Sequence, residues 1–155
     1  MNFVVRSFLI FVLSCVSVFS EEVPNAVLFR MGSERLVLHE VLESMNAGEF
    51  AILNFTSVNC IPCKKEIPEL LRIAEKNPNI KLFIIFAESN PKDFASSLGV
   101  KSYYTDGLGV VQNKFGVKEY PVTILISRDK NLMSRIEGYK KKKLQETIQK
   151  ALERR

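Results

Sequence analysis

Residues 50–68 read FAILNFTSVNCIPCKKEIP: an apolar run, Phe50 to Phe55, passes through Thr56–Asn59 to Cys60 and Cys63 and on into a segment with helical spacing. A short run that is apolar at nearly every position fits a strand buried on both faces, as in a sheet covered by helices. From Cys60 to about Glu75, Ile67, Leu70, Leu71 and Ala74 recur on one helical face, and Pro68 is expected to kink that helix. Cys60-Ile61-Pro62-Cys63 thus stands at a strand–helix junction, where the spacing predicts both sulfurs in the first helical turn. Unpaired backbone N–H groups and the helix dipole favour negative charge there, lowering a thiol pKa from ~8.5 toward or below neutrality. Cys60, on the outer side, is the expected nucleophile. Cys63, one turn further in, would attack the mixed disulfide formed by Cys60 and close the Cys60–Cys63 bond.

Two other uses of the pair are weaker. A zinc site needs about four ligands, whereas the chain beyond residue 20 offers Cys60, Cys63 and His39. An inert bridge across so short a loop removes little chain entropy and stabilises little. The reading is therefore a redox-active disulfide with no metal and no further cofactor.

Outward from this segment the elements alternate. Ala26–Arg30 and Arg35–Leu38, separated by Met31-Gly32-Ser33-Glu34, form an expected hairpin, followed by a helix over His39–Asn46 that Gly48 ends. Ile80–Phe86 is a second apolar strand, and Asp93–Leu98 and Leu108–Phe115 are expected helices. Val122–Ser127 and Leu132–Glu137 read as a final hairpin turning through Arg128-Asp129-Lys130-Asn131. A last helix, Lys141–Arg155, carries Leu144, Ile148, Ala151 and Leu152 on one stripe. The order β-β-α-β-α-β-α-α-β-β-α implies an α/β domain with a central mixed sheet flanked by helices on both faces. His39 is read as a helix-start residue without a catalytic role, and Lys64, Lys65 and Glu66 as a solvated face.

The amino terminus has a different character. Met1–Arg6 carries one positive charge and Ser7–Phe19 is almost continuously apolar or small, which predicts an export signal over residues 1–20 and a single domain over 21–155. Val18 and Ser20 suit the small-residue positions of a cleavage site after Ser20. Two alternatives stay open: lipidation at Cys15 within Val12-Leu13-Ser14-Cys15, or retention of the run as a membrane anchor, although it is shorter than a spanning helix of ~20 residues. Cleavage would remove Arg6 and lower the formal net charge of +5 to +4. Much of the excess lies in Lys140–Lys143 and Arg154–Arg155 without interleaved aromatics, which speaks for a solvated helical face and against nucleic acid, with weak attraction to an anionic membrane surface left open. With 155 residues, 46% of them apolar, the chain can bury a core without disulfide staples.

The segment from Phe50 to Pro68 resembles the active-site region of thioredoxin-like proteins, in particular the exported TlpA/ResA branch. Leu53-Asn54-Phe55 and Cys60 to Pro68 match that branch's strand and its C-x-P-C-K-K-E-x-P pattern, Glu119-Tyr120-Pro121-Val122-Thr123 resembles its cis-proline loop, and Gly138 matches the glycine after the last strand. The resemblance runs from about Ala26 to the end of the chain and implies a thioredoxin-like fold with an N-terminal β-hairpin extension. It implies that Pro121 is cis and that Pro62, Tyr120 and Pro121 contribute to substrate binding, the backbone of Tyr120 by strand-like hydrogen bonds; the alternative is a trans proline opening a strand. It also implies a role for Glu88, in Phe86-Ala87-Glu88-Ser89, as a partly desolvated carboxylate that raises thiol pKa values and relays protons; the alternative is a solvated loop glutamate. Asn54 stands where many thioredoxins carry a buried aspartate, so that relay is expected to be absent. Thr56 and Asn59 replace tryptophans common in the family.

The function implied is an exported thiol–disulfide oxidoreductase, at the periplasm or the outer face of the cytoplasmic membrane. It would reduce specific exported cysteine-containing proteins, such as apocytochromes c during cytochrome c maturation, and draw electrons from a membrane thiol donor. Alternatives are a disulfide oxidant or isomerase, or a non-catalytic binding or assembly module. Peroxide reduction is disfavoured because Ser57 stands where a threonine is expected and Leu53 where a proline is.

Overall fold

The computed structural model describes residues 21–31 and 33–154. The expected export segment, including Cys15 and the cleavage position, lies outside them. Twelve elements follow in chain order: β1 (Val27–Arg30), β2 (Glu34–Val37), α1 (Leu38–Ser44), β3 (Phe50–Thr56), α2 (Cys63–Lys76), β4 (Ile80–Phe86), α3 (Lys92–Ser97), β5 (Tyr104–Thr105), α4 (Val110–Lys114), β6 (Val122–Ser127), β7 (Leu132–Glu137) and α5 (Lys141–Glu153).

The strands form one mixed sheet in the order β2-β1-β5-β4-β3-β6-β7. β3 lies inside it, parallel to β4 from Phe50↔Ile80 to Thr56↔Phe86 and antiparallel to β6 from Phe50↔Ser127 to Phe55↔Val122. Every residue of β3 is buried, which is why its sequence shows no polar alternation. The pleat sends Ala51, Leu53 and Phe55 to one side, where they pack with Leu38 and Leu42 of α1 and Val111 of α4. Phe50 and Ile52 face the other side, against Leu70 of α2 and Leu144 and Ile148 of α5. Helices therefore cover both faces.

Two boundaries and one strand differ from the sequence reading in ways that matter. α2 begins at Cys63, with Pro62 as its N-cap, so Cys60 lies in the preceding loop and not in the first helical turn. The helix then runs unbroken through Pro68 to Lys76. α4 begins at Val110 because Gly109, at φ 68°, takes the cap position, and Leu108 stays in the loop, 91% exposed. The two-residue β5 went unread; it pairs with β1 through Phe29↔Thr105 and with β4 through Phe86↔Thr105, joining the N-terminal hairpin to the main sheet.

Because β3, β4 and β5 are mutually parallel, their carboxyl ends at Thr56, Phe86 and Thr105 gather at one pole. The antiparallel β6 begins at that pole and β7 ends there. Loops 57–62, 87–91, 106–109 and 116–121 meet around it, as does the start of α5. The N-terminal segment enters at the opposite end of β6–β7, where Leu132 N–H donates to Glu21 O and Val23 N–H to Lys130 O.

Candidate active site

Cys60 and Cys63 are joined as a disulfide at this pole, with their Cα atoms 5.3 Å apart. The loop from β3 folds back through Cys60 N–H to Ser57 O at 3.1 Å, and α2 opens with Glu66 N–H donating to Pro62 O at 3.1 Å. Cys60 lies before the helix, yet its sulfur still receives a helix N–H: Cys63 N donates to Cys60 Sγ at 3.2 Å. A donor fixed in this way favours negative charge on Cys60 Sγ when the bridge opens. Cys60 is 9% exposed and Cys63 fully buried, so an incoming sulfur meets Cys60. Ile61, between them, is 72% exposed.

Glu88, just past β4, is tied to the loop that carries Cys60. Its Oε1 accepts from Ser57 Oγ at 2.6 Å and from Val58 N–H at 3.2 Å, and Ser57 Oγ accepts from Asn59 N–H at 3.3 Å. Glu88 Oε2 is buried and has no hydrogen-bond partner among the described residues. The carboxylate is thus a half-buried element of the active-site loop and not a freely solvated group.

The Tyr120–Pro121 peptide bond is cis. Tyr120 packs against the cluster that contains Cys60 and Cys63, and its hydroxyl donates to Gln112 Oε1. Burial and then the negative charges of Glu88 and Asp106 push the tyrosine hydroxyl's pKa up. Asp106, itself buried, accepts from the N–H groups of Val111 at 3.1 Å and Gln112 at 2.8 Å at the start of α4. Beside Pro121 a groove of about 520 Å³ opens between residues 116–122 and the Glu137–Lys140 turn. An apolar hollow of about 390 Å³ near Phe29 and Leu108 is lined by neither cysteine.

Glu66 corrects the sequence reading. Lys64 and Lys65 are exposed, Lys64 with its Nζ 5.6 Å from the centre of the Phe94 ring, but Glu66 is only 1% exposed. Its Oε1 accepts from Asn54 Nδ2 at 2.9 Å and from the Thr123 hydroxyl. Burial raises its pKa to about 7, against the pull of these two donors. The buried carboxylate missing from β3 at Asn54 is therefore supplied by α2. Helical spacing contained the signal, since Cys63, Glu66, Ile67 and Leu70 form one buried stripe. Thr123, Gln112 and Asp106 carried no comparable mark in the sequence.

The pole thus combines one accessible sulfur and one buried one, a donor fixed on the outer sulfur, two carboxylates in separate surroundings, and a groove alongside. His39 makes its hydrogen bonds elsewhere; its Nε2 lies 2.9 Å from Val23 O and its backbone N–H donates to Asn25 Oδ1, fastening the N-terminal segment to α1.

No family model matches the chain. Two curated relatives are similar, the thiol-disulfide oxidoreductases ResA of Bacillus thuringiensis subsp. konkukian and Bacillus cereus. Each is 27% identical over 137 residues, covering 84% of this chain and 76% of the relative. Among solved structures, a candidate thiol:disulfide interchange protein DsbE from Chlorobium tepidum superposes with a TM-score of 0.73 at 19% identity, covering 86% of this chain and 96% of that one. A secreted Mycobacterium tuberculosis disulfide oxidoreductase homologous to E. coli DsbE gives 0.67 at 17%, covering 81% and 95%.

Proposed function

Taking as premise that the chain is a thioredoxin-like protein of the TlpA/ResA-like kind, we propose that it is an exported thiol–disulfide oxidoreductase that reduces disulfides of particular exported proteins. The observation that carries this reading is the Cys60–Cys63 bridge at the start of α2, its outer sulfur accepting the Cys63 N–H beside the cis Tyr120–Pro121 bond. The substrates are exported proteins whose cysteines must stay reduced where disulfides form by default, such as the haem-binding cysteines of apocytochromes c. The electrons come from a membrane thiol donor.

In the reduced protein the Cys60 thiolate attacks one sulfur of the substrate disulfide. A mixed disulfide forms, and the other substrate sulfur leaves as a thiolate that takes up a proton. Cys63 then loses its proton and attacks Cys60 Sγ, the second substrate sulfur departs, and the Cys60–Cys63 bond closes. Two electrons have passed to the substrate. Glu66 shares the buried face of α2 with Cys63, one helical turn on, and burial raises its pKa to about 7, which suits an acid–base group for the resolving thiol. Glu88 sets the charge of the loop before Cys60. Backbone groups at Tyr120 and Pro121 receive an extended substrate segment, and Pro62 closes the other side of the outer sulfur.

Equilibrating the purified protein in redox buffers and measuring the potential of the pair tests this reading. A value below about −220 mV supports a reductase, whereas one above roughly −150 mV overturns it in favour of an oxidant.

A further inference from the structure

The groove beside Pro121 carries a charge pattern that disulfide exchange does not require. Tyr120 and Pro121 wall it on one side, Gly138 and Lys140 on the other, and Lys118 stands on its rim. Gly138 N–H donates to Pro121 O at 2.8 Å, which holds the start of α5 against the cis-proline loop. α5 then begins Lys141-Lys142-Lys143 with no acidic residue in its first turn. Successive cations at that end oppose the helix dipole, so the sequence accepts a local cost to keep them there.

The neighbouring charges leave these lysines largely uncompensated. Lys118, Lys140 and Lys143 are exposed and form no ion pair among the described residues, and Lys142 reaches Glu146 only at 3.8 Å with its side chain 90% exposed. Lys141 lies in the field of Glu69, which is already held by Arg72 at 2.6 Å. Of the two carboxylates lining the groove, Glu137 is bound by Arg135 at 2.9 Å, and Glu119 alone stands exposed without an ion pair. Lys64 and Lys65, exposed on the first turn of α2, add two more cations at the same pole.

We propose that this lysine rim selects protein substrates whose reactive cysteines are flanked by acidic residues. The inference rests on the exchange reading above and adds the class of substrate. Because Tyr120 belongs both to the groove wall and to the packing around Cys60 and Cys63, a segment lying in the groove has its cysteine at Cys60 and its flanking residues beside Lys118 and Lys140. Complementary charge raises the encounter rate with such a segment and disfavours basic ones.

The test uses reduced protein and disulfide-looped peptides that differ only in flanking residues: acidic, neutral or basic. Acidic peptides are expected to react about tenfold faster than neutral ones at low salt, with the difference shrinking at ~0.5 M salt. The triple variant K118E/K140E/K143E is expected to reverse the ranking, and the corresponding arginine variant to keep it. Equal rates, or a ranking indifferent to charge reversal, overturn the proposal. Binding of the same peptides with serine for cysteine, followed by anisotropy, separates the two readings. Ranked binding without exchange sinks the reductase and leaves the rim standing, while exchange without ranking does the opposite. Vesicles of phosphatidylglycerol in phosphatidylcholine supply the remaining arm: binding that the triple variant loses, with peptide ranking unchanged, makes the rim a lipid contact and overturns the proposal.

Discussion

Asn54 on β3 and Glu66 on α2 are joined by a hydrogen bond of 2.9 Å in the closed interior, beneath the disulfide's helix. The same Asn54 Nδ2 donates to Thr123 Oγ1 at 2.9 Å, and Thr123 donates to Glu66. β3 and β6 enforce this triangle, since Asn54 and Thr123 are direct partners in their antiparallel register. An amide on β3 can donate to a carboxylate whether or not that carboxylate is protonated, which an aspartate at the same place could not do.

Glu66 makes stability fall as pH rises from about 4.5 to about 7. Its folded pKa, raised by burial, exceeds the ordinary 4.5 of the unfolded chain, so within that window the folded form keeps a proton the unfolded form has released. The stabilisation is complete below the unfolded value and gone above the folded one, an effect on the order of 3 kcal/mol. Glu66→Gln should remove this slope and gain on the native protein above pH 7, since its amide oxygen can still accept from Asn54 Nδ2 and the Thr123 hydroxyl. Denaturant unfolding of both oxidised proteins across pH 4 to 9 measures the difference, and parallel curves would show that the carboxylate is not what titrates.

Glu88→Gln should make Cys60 more reactive at low pH. A negative charge on the loop at Ser57 and Val58 disfavours a thiolate two residues on, and the amide keeps an oxygen for the Ser57 hydroxyl while losing the charge. Alkylation of the reduced protein by iodoacetamide at pH 6 should accelerate by ~2- to 10-fold. An unchanged rate would mean that the charge at Glu88 is not felt at the sulfur.

The β3–α2 segment was legible because Phe50–Phe55 is buried on both faces and because a CxxC pair after such a strand has few uses. The helices of both layers followed from their apolar stripes. β5 was not legible: two residues cannot display a period, and Tyr104–Thr105 is a strand only because β1 and β4 lie on either side of it. Glu66 was misplaced for a different reason, since its charge suggested solvent while its position on the Cys63–Ile67–Leu70 stripe pointed inward. Position prevailed because Asn54 and Thr123, remote in sequence, supply its donors.

Asp106→Ala should destabilise the fold by about 1–2 kcal/mol, because two N–H groups at the start of α4 lose their acceptor. The effect should reach the active site through Gln112, whose backbone N–H donates to Asp106 Oδ2 at 2.8 Å and whose Oε1 accepts from Tyr120. A double-mutant cycle of Asp106→Ala with Tyr120→Phe tests that route. A coupling energy of about 0.5 kcal/mol or more is expected, and strict additivity would show that the cap and the tyrosine act separately.

Cys63→Ser should trap substrate on Cys60, whereas Cys60→Ser should trap none. The reason is access: Cys63 has no exposed surface, so a substrate sulfur reaches it only after attack at Cys60 has opened the bridge. Without Cys63 the mixed disulfide has no internal thiol to resolve it and accumulates as a one-to-one adduct. Without Cys60 the remaining thiol is buried and lacks the outer position at which the Cys63 N–H is directed, so reaction should slow by roughly 100-fold or more. Mass spectrometry under non-reducing conditions reads both variants. Comparable adducts on the two would mean that the pole opens far enough to expose Cys63, and the division of labour between outer and inner sulfur would then have to come from charge and not from burial.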